Sequence, residues 1–213
     1  MMFVDRPDAG RRLAEALSGY AGADAAILGI PRGGVVVGAE VARALHAPLG
    51  VVLPRKVRAP WNPELGLGAV APGVRVLDER LIRRLRVSDA YMEEEIETQL
   101  AEIRRRERTY RGERPPVSLE GRVAVVADDG IATGGTAVAA LRWTRAQAPG
   151  RVVLAVPVAP RAAMSRLAEE ADELVVLDTP EPFLAVGEWY EHFDQTGDDE
   201  VVALLADLAG SSV

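Results

Sequence analysis

The chain has 213 residues, of which 48% are hydrophobic and 27% are charged, and its formal net charge is −7 at pH 7. This length suits one well-buried α/β domain, the absence of cysteine excludes disulfides and thiolate catalysis, and the acidic balance argues against a nucleic-acid-binding surface. No stretch approaches the roughly 20 apolar residues of a membrane span, and the amino terminus is unlike a signal peptide, so we expect a cytoplasmic protein with no membrane partner.

The first half of the chain alternates between helix-like and strand-like patterns. Apolar runs predict two buried strands, and an Ala-Pro-Gly turn between apolar segments predicts a hairpin. In chain order the predicted elements are a helix over 8–19, a strand over 25–30, a helix over 34–45, a strand over 49–53 and a hairpin over 65–77.

A long charged helix is predicted over 88–112. Ser88 is a suitable N-cap, and apolar residues recur on one stripe at helical spacing. The acidic beginning and the arginine-rich end complement the helix dipole, and the arginines fit either a solvated helix end or a phosphate-binding patch. The stripe consists of Met92, Ile96, Leu100, Ile103 and Tyr110.

The second half of the chain continues the alternation of strands and helices. The predicted elements are a strand beginning at Val123, a helix running to about Ala148, a strand over 152–157, a helix over 160–171 and a strand over 174–177. Such alternation predicts an α/β fold with a doubly wound, mostly parallel five-stranded sheet and helices on both faces.

Residues 123–137 carry the most specific signal, an apolar strand followed by two aspartates and a Gly/Thr-rich turn. Asp128 and Asp129 would emerge at the carboxyl end of the strand, where open α/β sheets bind ligands. The turn offers backbone N–H groups and a helix start to a phosphate, and two carboxylates suit the hydroxyls of a ribose. Alternatively, the glycines only make the turn and the aspartates cap the helix. The spacing excludes a Walker A loop and a dinucleotide-binding turn, because no lysine follows the glycines and the acids precede the turn.

A second loop, with the sequence GIPRGG, occupies residues 29–34 after the first predicted strand. Arg32 offers a forked cation, and Gly33 and Gly34 expose backbone N–H groups, a combination that suits a polyphosphate. The alternative is a simple helix-entry turn. Arg55 and Lys56 follow the second strand at the same edge of the sheet, and the alternative for Lys56 is a solvated surface group.

These motifs resemble the signature of the type I phosphoribosyltransferases, and the chain looks like a bacterial phosphoribosyltransferase-like branch of that family. The resemblance implies that the aspartate pair holds the ribose hydroxyls and acts in catalysis together with Arg32 and Lys56. Gly33, Gly34 and Arg55 would contact the pyrophosphate, although Arg58 follows Lys56 by two residues where the family often has a lysine after three. The 5′-phosphate would lie on the loop formed by Gly130, Ile131, Ala132, Thr133, Gly134, Gly135 and Thr136.

The resemblance also implies an activity. It is the Mg²⁺-dependent transfer of phosphoribose from 5-phosphoribosyl-1-pyrophosphate to a nucleobase-like or other nitrogen acceptor, with release of pyrophosphate. Mg²⁺ would be held mainly by substrate and water, the partners would be small molecules rather than nucleic acid, and a homodimer is one option for the assembly. A non-catalytic phosphoribosyl- or nucleotide-binding regulator and a hydrolase of a phosphorylated sugar or nucleotide stay open on the same fold.

The family layout divides one domain, 1–213, into a core over about 20–180, an insertion over about 57–115 and a carboxyl-terminal hood over about 178–213. Residues 60–68 are expected to form an adaptable cover over the site, since closure would exclude water during transfer. In the hood, Phe183 or Trp189 would stack on a heterocyclic acceptor. A hydrophobic plug under the sheet and a dimer contact are the alternatives for these aromatic residues.

Overall fold

The computed structural model describes residues 1–208. The first half contains α1 (Arg6–Ala16), β1 (Ala25–Gly29), α2 (Gly33–Leu45), β2 (Leu49–Val51), β3 (Arg55–Ala59), β4 (Asn62–Ala71), β5 (Val74–Leu77) and α3 (Glu79–Leu85). The second half contains α4 (Asp89–Arg111), β6 (Val123–Ala127), α5 (Gly135–Arg145), β7 (Arg151–Val158), α6 (Arg161–Ala168), β8 (Glu173–Asp178) and α7 (Asp198–Leu208). None of the helices within residues 1–208 has the length and apolarity needed to cross a bilayer.

Five parallel strands form the central sheet in the order β2-β1-β6-β7-β8, which confirms the predicted α/β fold. From β1 the chain moves outward to β2, whereas from β6 it moves in the opposite direction to β7 and β8. The strand order therefore reverses between β1 and β6, whose last residues Gly29 and Ala127 are paired. Ligands of open α/β sheets bind at such a switch point, outside the carboxyl ends of the strands.

Apolar side chains on both faces of this sheet build the core. In β1, Ile27 packs on the face that α1, α2 and α7 cover, and Leu28 packs on the opposite face with α5 and α6. Both side chains are almost completely buried. Because both faces of the strands are buried, their sequences are continuous apolar runs and do not alternate between apolar and polar residues.

An antiparallel sheet of β3, β4 and β5 forms the insertion together with α4. The predicted hairpin over 65–77 corresponds to β4 and β5, but β3 was not predicted. The expected adaptable cover over 60–68 is wrong for most of that segment, because Asn62 to Gly68 pairs with β3 as a strand. Only the tip of the β3–β4 hairpin is a turn, and Trp61 there is 60% exposed.

The long helix α4 agrees with its sequence prediction. Its N-cap Ser88 accepts a hydrogen bond at Oγ from the Tyr91 N–H at 3.3 Å. Leu100 is only partly buried, whereas the rest of the predicted stripe is buried. At the far end, Tyr110 donates a hydrogen bond to Asp198 Oδ1 of α7 at 2.6 Å, and burial followed by this bond raises the pKa of Tyr110 to about 12. The phenol therefore stays protonated and joins α4 to α7.

The predicted hood consists of two different parts. The irregular segment before α7 packs against the amino terminus, where Phe3 forms a β-bridge with Tyr190 and its N–H donates to the Trp189 carbonyl at 2.9 Å. The sequence analysis did not predict α7, which packs on α2 and α4. Residues 209–213 of the predicted hood lie outside the described residues.

Candidate active site

Asp128 and Asp129 lie directly after β6, at the switch point of the sheet. The two residues are linked, because the Asp129 N–H donates to Asp128 Oδ1 at 2.9 Å. Burial, and next the neighbouring Asp129 carboxylate, hold the pKa of Asp128 well above its ordinary value of 3.8. The two adjacent carboxyl groups therefore form an acidic pair in which ionisation of both groups at once is unfavourable.

The loop after the aspartates leads into α5. Gly130 has a φ of +156°, and a Cβ at this position would lie 2.5 Å from Val186 Cγ1 in the carboxyl-terminal segment. The buried Ile131 anchors the loop to β7 by donating from its N–H to the Val158 carbonyl at 2.9 Å. Ala132 and Thr133 are exposed, and Gly134 is the N-cap of α5. The loop therefore presents a fixed backbone and the positive end of a helix dipole to solvent.

The loop between β1 and α2 contacts the aspartate pair. Its Pro31–Arg32 peptide bond is cis, and Gly33 is the first residue of α2. A Cβ on Gly33 would overlap Asp129 Oδ2, and a Cβ on Gly34 would lie 2.7 Å from the Asp128 Cα. Only glycine fits this close approach, so Gly33 and Gly34 lie against the two aspartates. The predicted contact of Arg32, Gly33 and Gly34 with pyrophosphate stays a prediction.

Arg6 is a member of the site that the sequence analysis missed. Its Nε donates to Asp129 Oδ2 at 2.6 Å, and the two side chains are only 12% and 16% exposed. The helix that carries Arg6 begins earlier than predicted, because Asp5 Oδ1 caps it by accepting from the Asp8 N–H at 2.7 Å. No local motif marks Arg6, which lies 123 positions away from Asp129 in the sequence.

The carboxyl-terminal segment holds this arginine and aspartate from the other side. Arg6 Nη1 donates to the Asp194 carbonyl at 2.6 Å, and the guanidinium lies 3.9 Å from the centre of the Phe193 ring. The Tyr190 hydroxyl donates to the Asp129 carbonyl at 2.5 Å, and burial raises the pKa of Tyr190 above its ordinary value. Both ends of the chain thus contribute to the surroundings of Asp129.

Arg55 and Lys56 do not join this cluster. Arg55 Nε donates to Gln99 Oε1 of α4 at 3.0 Å, and burial, followed by the proximity of Arg106, lowers the pKa of Arg55. Lys56 Nζ donates to the Glu64 carbonyl across the β3–β4 hairpin. Both side chains are therefore engaged within the insertion, and their predicted contact with pyrophosphate stays a prediction.

The two hood aromatics stack on each other. The rings of Phe183 and Trp189 are 6.3 Å apart between centroids with an interplanar angle of 21°, and both pack against a buried cluster that includes Phe3 and Val158. This packing corresponds to the plug alternative, and stacking on an acceptor stays a prediction. Trp189 Nε1 is buried and has no hydrogen-bond partner within residues 1–208.

Two cavities differ in their relation to these loops. One of about 520 Å³ lies along the edge strand β2, lined among others by Gly50, Arg114 and Trp143, and shares no residue with the two loops. A smaller one of about 340 Å³ borders the Arg6 contact and is lined among others by Val36 and Thr196. Neither cavity is lined by Asp128 or Asp129, and the smaller one reaches the aspartate pair only through Arg6.

The donor set of the site bears on the expected magnesium ion. Within residues 1–208 no group of three or more His, Cys, Asp and Glu side chains is placed to hold a metal ion. Mg²⁺ commonly binds through substrate phosphates and retained waters, with one or two carboxylates. The aspartate pair fits that mode, in which most ligands would come from the substrate and water.

Comparisons with known proteins agree with the geometry. A family model described as the phosphoribosyl transferase domain matches residues 5–200. Two relatives from strains of Mycobacterium tuberculosis, whose names give phosphoribosyl transferase as a provisional assignment, are 48% identical over 205 residues. The match covers 96% of this chain and 46% of each relative, so the chain spans about half the length of these curated relatives.

A solved structure extends the agreement to the whole fold. The crystal structure of TT1426 from Thermus thermophilus is 46% identical in sequence and superimposes with a TM-score of 0.82. The alignment covers 99% of this chain and 100% of that chain. The sequence signature, the switch-point loops and these relatives together show that the chain belongs to the phosphoribosyl transferase domain family.

Proposed function

We propose that the protein is a phosphoribosyltransferase that uses 5-phosphoribosyl-1-pyrophosphate as donor and a nucleobase-like or other nitrogen compound as acceptor. The observation that carries the proposal is the contact between the two loops, where Gly33 abuts Asp129 Oδ2 and Gly34 abuts Asp128. This contact brings groups suited to pyrophosphate, ribose hydroxyls and 5′-phosphate to one edge of the sheet. A donor that combines these three chemical parts matches the arrangement.

Each part of the donor has a counterpart in the chain. Asp128 and Asp129 accept hydrogen bonds from the ribose hydroxyls, and residues 130–136 with the start of α5 bind the 5′-phosphate. Arg32 and the neighbouring backbone N–H groups bind the pyrophosphate. Mg²⁺, when bound, neutralises charge on the pyrophosphate.

Transfer then depends on position and electrostatics. The bond between C1 of the ribose and the pyrophosphate oxygen breaks, and the electron pair leaves with pyrophosphate. Positive charge develops on C1 and the ring oxygen, near the aspartate carboxylates that stabilise it. The acceptor nitrogen donates its lone pair to C1, and its proton passes to solvent. The chain supplies fixed groups rather than a covalent intermediate.

Replacing the aspartates tests this assignment. Asp128→Asn and Asp129→Asn each remove a charged acceptor for a ribose hydroxyl, which is worth about 1.5–3 kcal/mol. We expect the dissociation constant of phosphoribosyl pyrophosphate, measured by calorimetry with Mg²⁺, to rise roughly 10- to 100-fold. Asp24→Asn is the matched control, because Asp24 is 74% exposed and precedes β1 at the opposite end of the sheet. Equal affinity in all three variants would contradict the assignment.

Turnover is measured separately, as release of pyrophosphate with a panel of nitrogen acceptors. Release that depends on an acceptor supports the transferase. Donor binding without release favours a non-catalytic regulator, an alternative supported by the engagement of Arg55 and Lys56 within the insertion. Release without any acceptor identifies a hydrolase. A cytoplasmic location and a homodimer stay predictions beside this proposal.

A further inference from the structure

We propose that the larger cavity, along the edge strand β2, is a second binding site that takes a small organic anion with a flat apolar ring system. The cavity has a volume of about 520 Å³ and shares no residue with the loops over 29–34 and 128–136. This volume lies within the range of about 300–1,000 Å³ that is typical of small-molecule sites. The proposal goes beyond the proposed function and does not depend on it.

The walls of the cavity are mostly apolar. Leu28 belongs to the core cluster on one face of the sheet and Leu49 to the cluster on the other face, and both line the cavity. The cavity therefore lies where both clusters reach the open edge of the sheet. Trp143 of α5 and the adjacent Pro115 and Pro116 also line it. Because an indole ring packs well against another aromatic ring, these walls favour a ligand with a flat ring system.

The charged residues that line the cavity are all arginines. They are Arg111, Arg114 and Arg122, and the described lining includes no aspartate or glutamate, in a chain whose formal net charge is −7. Arg122 pairs with Asp24 at 3.1 Å, whereas Arg111 and Arg114 form no salt bridge within residues 1–208. Arg114 instead donates from Nε to the Arg111 carbonyl at 3.1 Å and from Nη2 to the Tyr110 carbonyl at 3.2 Å.

These two arginines without a carboxylate partner make one wall of the cavity positive. Both lie at the carboxyl end of α4, where the helix dipole is equivalent to about half a negative charge and offsets only part of two guanidinium charges. Both side chains belong to partly buried residues, so water screens them less than it screens fully exposed charges. An anionic group on the ligand would form charge-assisted hydrogen bonds with this wall.

The open side of β2 adds polar backbone groups to the cavity. The bond from the Ile27 N–H to the Pro48 carbonyl, at 3.0 Å, shows which side of the strand faces β1. Successive residues of a strand direct their backbone groups to opposite sides, so Leu49 and Val51 direct theirs to the open edge. These two residues line the cavity and are only 2% and 8% exposed. A purely apolar occupant would leave their backbone groups without a partner, which favours an amphipathic ligand.

A protein strand is a poorer occupant of this edge. The strand β2 has 3 residues, Leu49–Val51, and the preceding Pro48 has no N–H to donate. An added strand would therefore form few main-chain hydrogen bonds, and short edges of this kind disfavour such pairing. The ring system and the anionic group of a small molecule match the walls better.

The first experiment measures binding of 1-naphthoate, a flat ring system with one carboxylate, to the full chain by calorimetry. We expect a dissociation constant below about 1 mM, and at least about tenfold weaker binding of the neutral analogue 1-naphthalenemethanol. Tryptophan fluorescence locates the probe, because Trp143 lines the cavity whereas Trp61 and Trp189 do not. The fluorescence change on binding should disappear in Trp143→Phe.

The second experiment removes the charges of the positive wall. Arg111→Gln and Arg114→Gln should each weaken 1-naphthoate binding about threefold to tenfold. Arg108→Gln is the matched control, since Arg108 is an exposed arginine of the same helix end that does not line this cavity, and its loss should change the affinity less than about twofold. Arg111→Gln keeps the test possible if Arg114→Gln does not fold, because the Arg114 side chain alone bonds the helix-end carbonyls.

Three results would overturn the proposal. The first is equal affinity for 1-naphthoate and its neutral analogue, and the second is unchanged affinity in both Arg111→Gln and Arg114→Gln. The third is absence of probe binding by a protein that sediments as a dimer and becomes monomeric in Ser118→Glu, since Ser118 is exposed at the cavity and a second copy of the chain would then cover this face. None of these results bears on donor binding at the switch point, which is measured separately.

Discussion

Asp128 and Asp129 are adjacent residues of one type, yet their surroundings differ. Asp129 accepts from the Arg6 guanidinium at Oδ2, whereas Asp128 Oδ1 accepts from the backbone N–H of its neighbour. Burial raises the pKa of Asp128, so the folded state disfavours its ionised form. A carboxyl group whose ionised form is disfavoured by its surroundings is typical of a binding or catalytic site rather than of a structural position.

The first prediction concerns the stability of Asp128→Asn. Because the pKa of Asp128 is raised in the folded state, its contribution to stability is fully present below the ordinary pKa of 3.8 and is lost as the pH rises through the raised value. Asparagine does not titrate and keeps an oxygen for the Asp129 N–H. We expect the variant to exceed the unmodified protein in free energy of unfolding by on the order of 1 kcal/mol at pH 7, but not at about pH 3.5.

Urea denaturation at both pH values measures this difference. Asp129→Asn is the contrast, because it removes the partner of a mostly buried arginine and should lower the free energy of unfolding by about 2 kcal/mol at pH 7. The same sign for both variants at pH 7 would contradict the different electrostatic states of the two residues.

Sequence reasoning reached Asp128 and Asp129 but not Arg6, for a physical reason. The aspartates lie beside glycines and threonines whose spacing reflects the local geometry of a strand–turn–helix. Arg6 reaches the site only through tertiary packing of α1 against α2 and the carboxyl-terminal segment. An isolated arginine next to a proline has no local pattern that distinguishes it from the other arginines of the chain.

At the scale of elements, two helices begin with glycine near the site for different reasons. Gly33 opens α2 against Asp129 and Arg6, where a Cβ would overlap the Asp129 carboxylate. Gly135 opens α5, and a Cβ there would meet no atom within 4 Å. Close approach therefore requires glycine in the first helix but not in the second.

Alanine at these two positions is the second prediction. Gly33→Ala forces the Asp129 and Arg6 side chains apart and should lower the free energy of unfolding by about 2 kcal/mol. Gly135→Ala adds a side chain in open space at the start of a helix and should change the free energy of unfolding by less than about 1 kcal/mol. Denaturant unfolding of both variants measures these effects, and equal losses would refute the claim of close packing at Gly33.

The sequence analysis missed two elements, β3 and α7, and they differ in how clearly their local sequence indicates secondary structure. The segment over β3 reads RKVRA after a proline, which lacks the apolar run or alternation that identified the other strands. In contrast, α7 carries a usable signal, with acidic residues in its first turn and Val201, Leu205 and Leu208 on its buried side. Its absence from the sequence prediction came from assigning the whole region to a hood.

At the scale of the whole molecule, the amino terminus and the carboxyl-terminal segment close the site together. Phe3 is completely buried beside Tyr190, with the ring centroids 5.4 Å apart. Tyr190 in turn contacts Phe193 at 5.0 Å between centroids and donates to the Asp129 carbonyl. An apolar contact outside the site thereby supports the groups within it.

The third prediction follows from this packing. Phe3→Ala removes a fully buried aromatic ring and should lower the free energy of unfolding by about 3–5 kcal/mol. It should also weaken donor binding, because Tyr190 and Asp194 lose their support. Met2→Ala is the matched control, because Met2 directly precedes Phe3 and is 50% exposed. This substitution should change the free energy of unfolding by less than about 0.5 kcal/mol. Thermal and urea unfolding, followed by calorimetry, measure both effects.

The strand order of the whole sheet could be predicted only in part. Alternation of strands and helices predicts a doubly wound parallel sheet, and the sequence identified every strand of that sheet.

The contact of Phe3 with Tyr190 could not be predicted, because neither residue belongs to a periodic element. Its basis is the burial of aromatic surface at the end of the sheet.

The joining of distant segments at Asp129 has a consequence for the order in which the site forms during synthesis. Asp129 is 123 positions from Arg6 and 61 positions from Tyr190. Contacts this remote form late, because chain entropy is lost before they contribute stability. A nascent chain that has just completed the loop after β6 contains both aspartates and Arg6, but not Tyr190 or Asp194. A polypeptide ending before residue 189 would therefore contain the whole signature and Arg6, but would lack the contacts of Tyr190 with Asp129 and of Asp194 with Arg6.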